Sequence, residues 1–164
     1  MSLKSIAFPK REAMKWTFAA TLVALSLGAS SPAQASVADD VRAVYDQFAA
    51  AQNARDLAKV KTFLVDSPRF LWVSDGMSFW GPDALVKRMA EFQLAEVWHV
   101  DPDLADAAIV EVDDGAAYIH MPLALTIGLK AKPDVIHFLV SILCVKQAQG
   151  WLIAALFTTT EKTK

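Results

Sequence analysis

The feature that most constrains this chain is a change of hydrophobic period after Gln93. Before that point apolar residues recur at helical spacing; beyond it they alternate with period two almost to the end. Val41, Val44, Tyr45 and Phe48 stand at i, i+3, i+4 and i+7, one apolar stripe of a helix that should run to about Asn53. Ser36 and Asp39 have the spacing of a helix start, and Asp39 and Asp40 suit the positive end of the helix dipole. Asp56 can cap a second, short helix with Leu57, Val60 and Leu64 inward, and Asp66-Ser67-Pro68 stops it. Arg69–Ser74 reads as a strand, turned by Asp75-Gly76. Gly81-Pro82-Asp83 opens a third helix with Leu85, Met89 and Phe92 on its inner stripe.

Past Gln93 the reading is a run of strands. Glu96–Asp101 is short and ended by Pro102. Ala107–Val112 and Ala116–Ile127 flank the turn Asp113-Asp114-Gly115, and Val135–Lys146 and Trp151–Thr159 flank Ala148-Gln149-Gly150. Segregated helices and antiparallel strands define an α+β domain, three N-terminal helices packed on one face of a sheet. Parity puts Ile119, Met121, Leu123, Leu125 and Ile127 on one face, together with Ile136, Phe138, Val140, Ile142 and Cys144. The other face remains largely apolar in the last hairpin, and a homodimer is the simplest cover for it. Pro122 inside a strand implies an edge or a bulge, and a bulge would switch the face of everything beyond it.

Residues 1–35 read as a cleavable export signal. Lys4, Lys10, Arg11 and Lys15 precede an almost wholly apolar run from Trp16 to Gly28, and Ala33-Gln34-Ala35 supplies the small-residue cleavage site. The run is too short for a comfortable membrane span of ~20 residues, so the membrane is met only through this segment during export. The expected mature protein, residues 36–164, is one domain, periplasmic or extracellular. It holds twelve basic and seventeen acidic side chains, a net charge of −5. An acidic domain without a basic patch repels phosphate backbones, which argues against a nucleic-acid partner. Cys144 is the one cysteine and sits in an apolar strand pattern, so it reads as a buried thiol.

Three stretches carry a family resemblance: Gln47–Leu57 with its Asn-x-x-Asp-Leu turn, Trp80–Leu85 around Gly81, and Gly150–Phe157 with its Gly-Trp-x-Ile start. With the element order, they make the chain similar to the nuclear-transport-factor-2-like superfamily, specifically SnoaL-like and DUF4440-type domains. The resemblance implies a cystatin-like cone: a curved antiparallel sheet wrapped around helices, an apolar pocket inside, and a dimer through the sheet. Members include enzymes, binding modules and dimerisation modules, so fold does not settle function. The ketosteroid isomerases of this superfamily resemble the chain most along Asn53–Leu85. Their general base falls at Asp75. Their oxyanion tyrosine falls at Phe48, which has no hydroxyl, and Leu139–Leu143 holds no acid for the second donor. Enolate chemistry needs donors aimed at the developing charge, so that route lacks its parts here.

The candidate catalytic residues are Asp75, either a base in an apolar pocket or simply a turn residue, and His99 and His120 as acid/base partners. Parity puts His120 and His137 on the face away from the main apolar row. Tyr45, Phe48, Trp72, Phe79, Trp98 and Phe138 are the candidate pocket lining; aromatics are also what strands ordinarily bury. No histidine spacing calls for a metal, and no motif calls for a cofactor. Three functions follow: an exported binder of a small apolar molecule, an isomerase- or dehydratase-type enzyme using Asp75 and a histidine, or a structural dimerisation module with a filled core.

Overall fold

The computed structural model describes residues 36–162; the expected export signal, residues 1–35, lies outside them. The elements follow the order α1 (Val37–Asn53), α2 (Leu57–Thr62), β1 (Leu71–Ser74), β2 (Met77–Trp80), α3 (Pro82–Phe92), β3 (Val97–Pro102), β4 (Ala108–Asp113), β5 (Ala116–Leu129), β6 (Lys132–Gln147) and β7 (Gly150–Thr160). This is the expected α+β architecture, with the helices on the inner face of one seven-stranded sheet.

The helix starts follow local chemistry. Ser36 Oγ accepts from the Asp39 amide at 3.2 Å while the Ser36 amide donates to the Asp39 carboxylate at 3.3 Å, a reciprocal cap. The hydrogen bond from the Ser36 side chain, then that from its backbone, holds the Asp39 carboxyl below its ordinary range. Asp56 caps α2 by accepting from the Lys59 amide at 2.8 Å, and Pro82 occupies the first turn of α3.

The Asn-x-x-Asp-Leu stretch ties α1 to β3 and to the end of α3. Asn53 Nδ2 donates to the Val100 carbonyl at 2.8 Å and its Oδ1 accepts from the Val100 amide at 2.7 Å, joining the end of α1 to the middle of β3. Arg55, at a φ of 58°, donates to the carbonyls of Gln93, Ala95 (2.8 Å) and Glu96 (3.2 Å), at and beyond the C-terminus of α3.

The sheet order is β2-β1-β7-β6-β5-β3, with β4 also on β5. Two features differ from the sequence reading. Two strands, not one, lie among the helices: Asp75 and Gly76, with φ of 52° and 70°, form a tight turn that folds β2 back onto β1. And β1 pairs with β7 in parallel, Trp72 beside Leu156 and Ser74 beside Thr158, so the sheet is mixed rather than wholly antiparallel. β5 and β6 also run on to a two-residue connection, Leu129 facing Lys132. Gly128 and Pro133 had hidden these strand ends in the sequence pattern.

Pro122 resolves as an edge position. β3 pairs with β5 from Leu123 onward and β4 with β5 up to His120, so Pro122 falls in the gap between them. Its carbonyl accepts from the Asp103 amide at 3.0 Å on that side. The missing N–H of proline points the same way and leaves no ladder bond broken. Register between β5 and β6 passes through Pro122 unshifted, so the parity of the inner face holds along the whole hairpin. Register shifts lie instead in β4, between Glu111 and Asp113, and in β7, where Leu143 faces Ala155 and Cys144 faces Ile153, leaving Ala154 as the extra residue.

The core joins Val41, Tyr45 and Phe48 of α1, Val60 of α2, and Leu85 and Met89 of α3 to Ile119, Met121, Ile142, Cys144 and Ile153 of the sheet. Replacing Asn53 with alanine leaves both Val100 groups without their partner. Asn53→Ala is expected to cost about 1–3 kcal/mol, read as a lower urea midpoint at unchanged slope.

Candidate ligand cavity

A cavity of about 570 Å³ lies between α1, α3 and the inner face of the sheet, within the ~300–1,000 Å³ usual for small-molecule sites. It exists because the β5–β6 hairpin outruns the helices. Nearer the core Met121 and Val140 are fully buried, whereas Leu125, Ile127, Ile136 and Phe138, toward the hairpin end, are only half-buried and face open space. Tyr45, Phe48 and Gln52, on one stripe of α1, form the buried floor with Met89 and Leu156. Exposed Asp75, Gly76, Thr159 and Thr160 mark the mouth.

Five of the six lining residues expected from the sequence line this cavity: Tyr45, Phe48, Trp72, Trp98 and Phe138. Phe79 does not. It lies on edge strand β2, one strand farther out, and packs against Trp72 with ring centroids 5.0 Å apart. Trp72 Nε1 donates to Thr158 Oγ1 at 3.3 Å. Trp98 stacks on Phe92 at 6.2 Å, and its own Nε1 is enclosed without an acceptor.

The three candidate catalytic groups stand in three different places. Asp75 occupies the β1–β2 turn at the mouth. His99 lies in a separate groove of about 220 Å³ with Asp46, Asn53 and Asp101. His120 sits on the outer face, its Nδ1 2.8 Å from Ser141 Oγ, as parity expected. Among the described residues no lysine, arginine or histidine lines the main cavity, and no group of three or more His, Cys, Asp or Glu side chains is arranged to hold a metal. A buried polar lining residue that the sequence reading missed is Gln52. Its only signal was helical spacing, since it falls four residues beyond Phe48 on the same stripe.

The architecture is that of a helix-lined cone open at one end. A SnoaL-like domain model matches residues 41–156, and the chain belongs to that family. Among solved structures, it is similar to a nuclear-transport-factor-2-like superfamily protein from Salmonella enterica serovar Typhimurium, at 14% identity over 77% of this chain and 92% of that one, with a TM-score of 0.69. It is also similar to a ketosteroid isomerase-like protein from Erwinia carotovora atroseptica, at 17% identity over 76% and 95% of the two chains, with a TM-score of 0.62. A protein with a cystatin-like fold from Caulobacter vibrioides gives 16% identity, 76% and 89% coverage and a TM-score of 0.64. At these identities the likeness shows the fold alone. Among the curated proteins none matches the sequence.

Cys144 takes no part in the cavity. It is fully buried between β5 and β7, and burial pushes its thiol up to about 12. A thiol held protonated is a poor nucleophile. Native protein at pH 8 is therefore expected to resist an aromatic disulfide reagent, with one equivalent reacting once denaturant is added; prompt labelling without denaturant would contradict the packing described.

Proposed function

We propose that this protein is an exported, dimeric carrier or receptor of a small apolar molecule. The observation that carries the reading is a roomy, mostly apolar cavity in which, among the described residues, no histidine, lysine or second carboxylate faces Asp75. A binder needs a void with few polar groups; an enzyme of the isomerase or dehydratase type needs two that converge. The void equally speaks against a dimerisation module with a filled core. The basic, apolar and Ala-x-Ala segments in residues 1–35 support export.

Dimerisation is supported by the outer face. One register row crosses six strands as Val110, Tyr118, Leu143, Ala155, Leu71 and Trp80. Trp80 is 61% exposed and Phe157, one row away, 40%. Val110, Tyr118, Leu143 and Trp80 of this row are exposed; apolar side chains open to water across the face of a sheet favour a covering partner, and a second copy supplies an identical set.

Native mass spectrometry of protein from the exported fraction tests export and dimerisation together. The expected species is a dimer of chains beginning at Ser36, and Phe157→Glu is expected to give monomers at micromolar concentration. A monomeric parent protein would remove the dimer from this reading. The cavity is tested separately with Nile red, a neutral apolar dye. Saturable binding is expected, and Leu125→Trp, which fills the half-buried wall, should weaken it roughly tenfold or more while leaving the far-ultraviolet circular dichroism unchanged. Equal binding by both proteins would place the dye, and the function, elsewhere.

A further inference from the structure

The cavity floor carries two polar side chains that the fold itself does not use. Gln52 is 4% exposed and Tyr45 2% exposed, and both line the cavity. Neither side chain has a hydrogen-bond partner among the described residues; Gln52 is engaged through its backbone, whose carbonyl accepts from the Arg55 amide at 3.0 Å and from Gln93 Nε2 at 3.2 Å. Among the described residues, the enclosed side-chain atoms without a partner are the indole nitrogens of Trp98 and Trp151. The Gln52 amide and the Tyr45 hydroxyl therefore open onto the void rather than being sealed in the core. Both sit on the same stripe of α1, one turn to either side of Phe48.

These groups penalise ligands at both extremes. A pure hydrocarbon displaces water from the Gln52 amide and returns nothing, leaving a desolvated donor and acceptor unpaired. A carboxylate or phosphate brings a charge into a cavity to which the described residues contribute no cationic side chain and which has Asp75 at its mouth, and an unpaired buried charge is costlier still. Burial also pushes the Tyr45 phenol up, so it stays a neutral donor.

We propose that Gln52 is the polar anchor of this cavity and selects an uncharged, apolar ligand bearing a carbonyl or hydroxyl group. This rests on the binding reading above and adds to it a ligand class and a specificity residue. The amide can donate to a carbonyl and accept from a hydroxyl, so it tolerates either group while rejecting their ionised counterparts.

The test uses three probes of one shape: 2-acetylnaphthalene, 2-isopropenylnaphthalene and 2-naphthoate, titrated calorimetrically into the full domain at neutral pH. The ketone is expected to bind best, several-fold tighter than the hydrocarbon and at least about tenfold tighter than the carboxylate. Gln52→Met, close in volume but apolar, should bring ketone and hydrocarbon level without weakening the hydrocarbon. Gln52→Lys should raise the affinity for 2-naphthoate. Naphthoate binding to the parent protein as tightly as the ketone would overturn the proposal without any variant, and so would a ketone preference that survives Gln52→Met. Failure of all three probes to bind would instead remove the apolar binding reading, and this inference with it.

Discussion

Everything in this domain depends on the uninterrupted register of the β5–β6 hairpin. Its facing pairs run from Ala116 with Val145 to Leu129 with Lys132 without a slip. Because side chains alternate strictly along a strand, one slip would have exchanged the inner and outer faces for the rest of the sheet. Instead Ile119, Met121, Val140 and Ile142 all reach the core, and the same parity carries Leu125, Ile127, Ile136 and Phe138 beyond the helices to wall the cavity. Core and cavity are one continuous face, filled at one end by α1, α2 and α3 and left open at the other.

Holding that open end requires the helices to be fixed at a distance, and short polar contacts do this. Asn53 pins α1 to Val100, and Arg55 gathers the carbonyls at the end of α3. These bonds go to backbone groups, so they set position without filling space. Apolar side chains in their place would have drawn the layers together. The extra residue at Ala154 has a related effect: it lets Ile153 and Leu156 both face inward, turning β7 so that its last residues reach the mouth beside β1.

The two faces of the sheet divide the chemistry. Inside, an apolar wall meets a few neutral polar groups; outside, exposed Val110, Tyr118, Leu143 and Trp80 share a row that crosses from β4 to β2, with His120 beside Ser141 one row away. The histidines fall outside the cavity for a simple reason: each shares a strand with inward-facing apolar neighbours, and alternation sends it the other way. Separation of the histidines from Asp75 thus follows from the same parity that builds the cavity.

Much of this was legible in the residues because it is local. Caps at Ser36 and Asp56, the Pro82 start, the Asp75-Gly76 turn and the alternation of faces within β5 as far as Pro122 each depend on neighbours within a few positions. Five of the six lining residues followed from such patterns. What was not legible depends on partners far apart in the chain. The parallel pairing of β1 with β7 brings together residues more than eighty positions apart, and it decides that Trp72 lines the cavity while Phe79 stands behind it. Pro122 looked like a possible break; only the places where β3 ends and β4 begins made it harmless. Helical spacing put Gln52 on the apolar stripe but not in the cavity, because a glutamine there takes its meaning from what faces it, and only the folded chain sets it against the open space.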